Sequence, residues 1–251
     1  MTGMACLLKK EFKEQIRTYR FLIVGGIFLF FGITTPLTLK YLPQIIQLAG
    51  EQIPIEIPPP TAVQSLAEYA GTIGQLGVLM TVLIGMGAVA NELKSGTALL
   101  TLSKPVTRSA FITAKVFAMS TTFVISLALA SLVCFAYTVW LIGGAEILPF
   151  VEMNLLMAVF LVFCLAITIL YSALFKSSLA AGGLAIGTLI GQALLSSLPG
   201  VGNYIPGKLL GWGSGLLSGS TTTYWWSLGV TVVLIVGCLY LARSVLRRKE
   251  F

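Results

Sequence analysis

Five charged residues, Glu92, Lys94, Lys104, Arg108 and Lys115, fall within positions 91–115 of a chain whose charged content is only 10%. Such groups can pair with one another, meet charges on a partner, or hold a loop at a membrane boundary. They are not arranged for catalysis. The sequence contains no His and no Asp, which removes HExxH zinc sites, Ser-His dyads and aspartyl pairs. No G-x-x-x-x-G-K-[ST] occurs either, since Gly207-Lys208 lacks both the earlier glycine and the following hydroxyl residue. A nucleotide's phosphates would find no P-loop here. Ion-coupled carriers place an ionisable group inside the bundle, and none lies deep in the apolar runs of this chain. No catalytic, cofactor-binding or metal-binding residue is therefore expected.

The elements that position this segment follow from composition. The 251 residues are 57% hydrophobic with a mean hydropathy of +0.94. A bilayer core takes roughly 20 apolar residues per helix, and six stretches qualify: Phe21–Leu39, Tyr69–Ala90, Phe111–Leu141, Met153–Phe175, Ser178–Leu198 and Tyr224–Ala242. They are too long and too evenly apolar for a membrane β-barrel, so the fold class is all-α with six transmembrane helices. One integral membrane domain covers 1–251. With the N-terminus inside, 14 of the 16 basic residues share one side and only Lys40 and Lys208 lie opposite. By the positive-inside rule both termini are cytoplasmic. The net charge of +7 then reflects topology and contact with anionic lipid, not nucleic acid.

Residues 4–20 read as an amphipathic helix along the membrane surface. Leu8, Phe12 and Ile16 recur every four residues with Tyr19 near the same face, and Lys9, Lys10, Lys13, Glu14 and Arg17 fill the remainder. This charged stretch is not a cleavable signal. Lys40–Glu68 is expected to be an outer loop, extended around Ile53–Pro60. The glycine-rich segment 199–223 is too broken for a span and is expected to be a re-entrant or interfacial outer element. Gly183, Gly187 and Gly191 allow a close helix contact, either with another chain or within this one. Cys6, Cys134, Cys164 and Cys238 imply no disulfide framework. Few polar groups lie at membrane depth; Gln75, Thr81, Thr188 and Gln192 are the candidates for a substrate pathway.

Glu92 ends the second apolar run, and Gly96 can break that helix. Thr97–Leu102 is a short, mostly apolar turn, and Pro105 suits a new helix start. Arg108 could return to meet Glu92. A short apolar helix between two breaks suits docking into a groove on another protein, with Leu99 and Leu100 as its contacts.

The pattern Glu92, Ser95-Gly96-Thr97, Ser103, Pro105-Val106, Thr107-Arg108, Phe111 and Lys115 resembles a signature of the membrane subunits of ABC-2-type transporters. The six spans, the N-terminal amphipathic helix and the outer segment before the sixth span extend the resemblance over the whole chain. It implies a permease subunit of an ABC exporter in the cytoplasmic membrane of a bacterium or archaeon. It further implies pairing with a second permease chain, identical or related, to form the pathway. Separate cytoplasmic ATP-binding-cassette subunits would bind ATP and Mg and press on the loop after the second span. Glu92, Gly96, Thr97, Leu99, Leu100, Pro105 and Arg108 would form that coupling contact. A different class of function is a non-transporting scaffold, immunity or sensor subunit that recruits a cytoplasmic partner through the same loop.

Overall fold

The computed structural model describes residues 2–48, 59–97 and 107–248. All described regular structure is helical, and six helices are long and apolar enough to cross a membrane. The elements are α1 (Thr2–Arg17), α2 (Arg20–Leu48), α3 (Ala62–Gly85), α4 (Ala90–Lys94), α5 (Arg108–Leu141), α6 (Ile147–Leu174), α7 (Ser178–Ser196), α8 (Lys208–Leu217) and α9 (Trp225–Arg248). A 3-10 turn at Val201–Tyr204 precedes α8.

Several boundaries differ from expectation. The second helix does not stop at Leu39: α2 continues to Leu48 through Pro36 and Pro43. Proline is tolerated in membrane helices; just before Pro36, Thr34 and Thr35 donate to the Phe30 and Phe31 carbonyls. The next span starts at Ala62, seven residues earlier than Tyr69, because Thr61 caps it by accepting the Gln64 N–H at 3.2 Å. So most of the outer loop expected over 40–68 is helix at both ends; Ile53–Pro58 lies outside the described residues. The second span itself is not continuous. It breaks over 86–89 and resumes as α4.

A central core joins α2, α3, α5 and α6. Phe28 meets Phe123 and Tyr69 meets Phe150, and Val24, Ile73, Met153 and Met157 belong to the same cluster. The α2–α5 contact is close: a Cβ at Gly32 would lie 2.8 Å from the Ala130 carbonyl oxygen, so the two backbones nearly touch. α1 docks on the start of α5, where Lys115 meets Glu11 at 2.9 Å, and Val89, Phe111 and Ile112 belong to the same core as Ala242 and Leu246 of α9.

The segment 199–223 is not a span. Its α8 buries Leu209, Trp212 and Leu217 against neighbouring spans. Leu210 reaches Gly74, a position about 18 Å along α3 from Ala62, so α8 dips well into the bundle. Ser227 of α9 donates to the Ile205 carbonyl at 2.8 Å and ties down the approach to α8.

Candidate functional site

The charges of 91–115 do gather, but with partners that include the N-terminal helix. Lys115, about two turns into α5, is 1% exposed. Its ammonium lies 2.9 Å from Glu11 Oε2 of α1 and 3.0 Å from Glu92 Oε1 of α4. Glu11 is 2% exposed and Glu92 15%. Lys10 adds weaker contacts of 3.5 Å to each of these carboxylates, and the Phe111 ring sits 5.4 Å from the Lys115 nitrogen. A lysine taken out of water must find carboxylates, and here they come from two other elements. Three segments separated in sequence are thus held at one atom.

Carboxylate oxygens of Glu11, Glu14 and Glu92 lie within 4.8 Å of one another. The space between Glu11 and Glu92 is already taken by the Lys115 ammonium, so the protein supplies its own cation.

The apolar stripe of α1 is only partly covered by the protein: Leu8 and Phe12 are half-buried. Ile16 and Tyr19 are each 65% exposed, while Leu7, Glu11 and Gln15, also at four-residue spacing, are buried. An interfacial helix offers its apolar face to acyl chains, which leaves the polar stripe for the protein. Phe12 meets Phe117 of α5 edge-on at 6.5 Å between ring centres, and Tyr19, at φ 58°, makes the turn into α2.

The helix stop at Gly96 is as expected. Its φ is 71°, the left-handed region that glycine enters at no steric cost. The Ser95 hydroxyl bonds back to the Asn91 carbonyl at 2.8 Å and lies 2.9 Å from the Thr97 hydroxyl. Thr107 then caps α5 by accepting the Ala110 N–H at 3.3 Å. Leu99, Leu100 and Pro105 lie outside the described residues, as does the side chain of Arg108. Glu92 is paired with Lys115 and Lys10.

Of the pathway candidates, Gln75 and Gln192 line a cavity of about 720 Å³ bounded by α3, α6, α7 and α8. Phe160, Leu189 and Leu210 supply apolar wall, Ser214 adds a hydroxyl, and no charged side chain lines it. Gln192 Oε1 accepts the Gly207 N–H at 3.1 Å, which leaves its amide donors for the cavity. The two threonines are placed otherwise. Thr81 is buried and donates to the Val78 carbonyl at 2.7 Å; Thr188 donates to the Leu184 carbonyl and pairs with Tyr171 at 2.8 Å. Both satisfy themselves locally, as hydroxyls in apolar helices usually do. Among the described residues, none packs against the glycine stripe. A Cβ at Gly183, Gly187 or Gly191 would meet no atom within 4 Å.

Sequence reasoning missed Glu11 and the role of Lys115. The signal was available: a lysine inside the start of an apolar run needs a buried carboxylate, and Leu7, Glu11 and Gln15 mark a second stripe on α1.

Six apolar spans, charge gathered at one end and an uncharged cavity within define a multi-pass membrane protein. Its family follows from comparison with known proteins. The model of the ABC-2 family transporter proteins matches residues 5–211, and the chain belongs to that family. It is therefore a membrane permease component of an ABC transporter. It is also similar to the uncharacterized transmembrane protein YxlG of Bacillus subtilis (strain 168), at 26% identity over 242 residues and 94% of each chain.

Proposed function

We propose that this chain is the permease subunit of an ATP-driven exporter, working with a second permease chain and with separate cytoplasmic ATP-binding-cassette subunits that bind ATP and Mg. The observation that carries the reading is the junction at Lys115. It ties α1, α4 and the start of α5 into one body beside the loop 95–107. A push on that loop is then delivered to three elements together. The end bearing this junction faces the cytoplasm, in keeping with its density of Lys and Arg.

Gly96, Thr97, Leu99, Leu100, Pro105 and Arg108 form the surface the ATPase presses, and Glu92 passes the load to Lys115. Gln75 and Gln192 lie on the cargo route. An apolar cavity of several hundred Å³ with a few convergent polar groups is the usual form of a small-molecule site. Its uncharged lining favours cargo that is apolar with one or two hydrogen-bonding groups over ions or sugars. The unoccupied stripe Gly183, Gly187 and Gly191, flanked by exposed Ile186, Ile190 and Leu194, supports the packing of a second permease chain against α7.

The test is co-purification and conformational response. The chain is expected to bring down an ATP-binding-cassette ATPase, and a Leu99→Asp/Leu100→Asp variant is expected to lose it. A Gln75→Cys reporter, with the native cysteines replaced, should change its maleimide labelling rate when ATP and vanadate are added to the complex. Retention of the ATPase by the double variant would remove the docking claim. A partner ATPase whose nucleotide state leaves the reporter unmoved would favour a recruiting scaffold.

A further inference from the structure

The second span is interrupted by a side chain from the fourth. In an unbroken helix, the Ala90 N–H would bond the Met86 carbonyl and the Val89 N–H the Gly85 carbonyl. Instead the Ser172 hydroxyl of α6 stands between them. It donates to the Met86 carbonyl at 2.8 Å and accepts the N–H groups of Val89 and Ala90, each at 3.0 Å. A hydroxyl offers one donor and two acceptor positions, so Ser172 is fully saturated. The Gly85 carbonyl turns to the Ala88 N–H at 3.0 Å in a tighter turn. Side-chain insertion into the ladder is an established cause of helix breaks.

The break is held from the opposite side as well. A Cβ on Gly182 of α7 would lie 2.7 Å from Met86 Sδ, so α7 packs directly against the same turn. The residues just beyond the break are Asn91 and Glu92, and α4 is only five residues long. The direction in which α4 leaves the break therefore decides whether Glu92 reaches Lys115.

We infer that Ser172 is a positioning residue: its hydroxyl keeps the second span broken at 86–89, aims Glu92 at Lys115, and joins α6, a wall of the cavity, to the charged junction. This rests on the coupling reading above, to which it adds the route from the junction to the cavity. Motion of α4 reaches α6 through three hydrogen bonds to one atom, and α7 follows because Gly182 leaves it no slack against Met86.

The experiment compares Ser172→Ala and Ser172→Thr with the parent chain, in lipid nanodiscs and in complex with the co-purifying ATPase. Amide hydrogen exchange over 86–94 is expected to speed up at least about fivefold in Ser172→Ala, since two buried N–H groups lose their acceptor. Ser172→Thr, which keeps the hydroxyl, should match the parent. On the complex, Ser172→Ala should abolish the ATP-vanadate effect on labelling at Gln75→Cys, and Ser172→Thr should retain it. Unchanged or slower exchange at 86–94 in Ser172→Ala would overturn the proposal. So would a threonine variant that behaves like alanine, or loss of protection spread equally over 120–140, which would assign the hydroxyl to stability alone. A parent complex that shows no nucleotide effect would overturn the coupling reading itself. A parent that responds while Ser172→Ala responds equally would overturn only the role of Ser172.

Discussion

Val82 lines the cavity and Glu92 touches Lys115, yet only ten residues of the second span, about 15 Å of helix, separate them. On the cavity side the lining carries no charge, and its polar groups are two glutamines and a serine. On the junction side, Lys115 and Glu11 are buried against each other and Glu92 completes the set. Buried charges hold geometry tightly, because separating them strands an ion in a medium that solvates it poorly. An apolar cavity with loose polar groups holds shape weakly and can admit varied contents. The same span thus runs from a tightly paired charged junction at one end to an uncharged cavity further on, with the break at 86–89 between them.

The sharpest way to break this contrast is at Lys115. Replacing it with Met leaves Glu11 buried without its closest cation, a change that costs on the order of 3–5 kcal/mol. Thermal unfolding in detergent should show a correspondingly large fall in midpoint. The paired change Glu11→Leu/Lys115→Met should recover most of that loss, since well-packed hydrophobic residues of similar volume often replace a buried ion pair at little cost. If Lys115→Met unfolds like the parent chain, the junction is not the rigid end.

Next in size is Gly182→Ala. The added carbon would press on Met86 Sδ at 2.7 Å, and overpacking of this sort costs about 1–3 kcal/mol. Its effect should appear as faster exchange at 86–94, with the α2–α5 contact untouched. Smaller again is Lys10→Gln. Lys10 is 42% exposed with contacts of 3.5 Å, so removing its charge should cost less than about 1 kcal/mol and leave the midpoint nearly unmoved.

The smallest effect on stability belongs to the cavity. Gln75→Leu removes a polar group that the fold does not depend on, and should shift stability by no more than about 0.5 kcal/mol. Its consequence should be functional, seen as altered stimulation of the ATPase by a panel of apolar amphiphiles. A large loss of stability from Gln75→Leu would mean that the two regions are not distinct in kind.

Span count, the all-helical class, the amphipathic first helix and the stop at Gly96 were legible in the sequence, because hydropathy and helix-breaking residues act locally. The starts and ends of the spans were less so. Hydropathy ends the first span near Lys40, but the backbone of α2 continues, and the Thr61 cap is a local signal that the polar surroundings of Glu68 obscured. Glu11 and Ser172 could not be placed by local reasoning. Each gains its role from a partner about a hundred residues away, Lys115 in one case and the 86–90 turn in the other. On α1 the buried stripe is Leu7, Glu11 and Gln15, beside the apolar stripe read from the sequence, of which Ile16 is exposed and Phe12 meets Phe117.

The claim that α1 and α5 move as one body has a direct test. Thr113 of α5 approaches Met4 of α1, with its hydroxyl 3.9 Å from the sulfur. In a chain otherwise free of cysteine, Met4→Cys and Thr113→Cys can be oxidised to a crosslink, with Gln75→Cys as the reporter in the cavity. If the Lys115 junction makes these helices one unit, the locked complex should show the same ATP-vanadate change in maleimide labelling as the reduced one. Loss of that change on locking, and its return on reduction, would mean that α1 must slide over α5 and that the junction is not a rigid receiver.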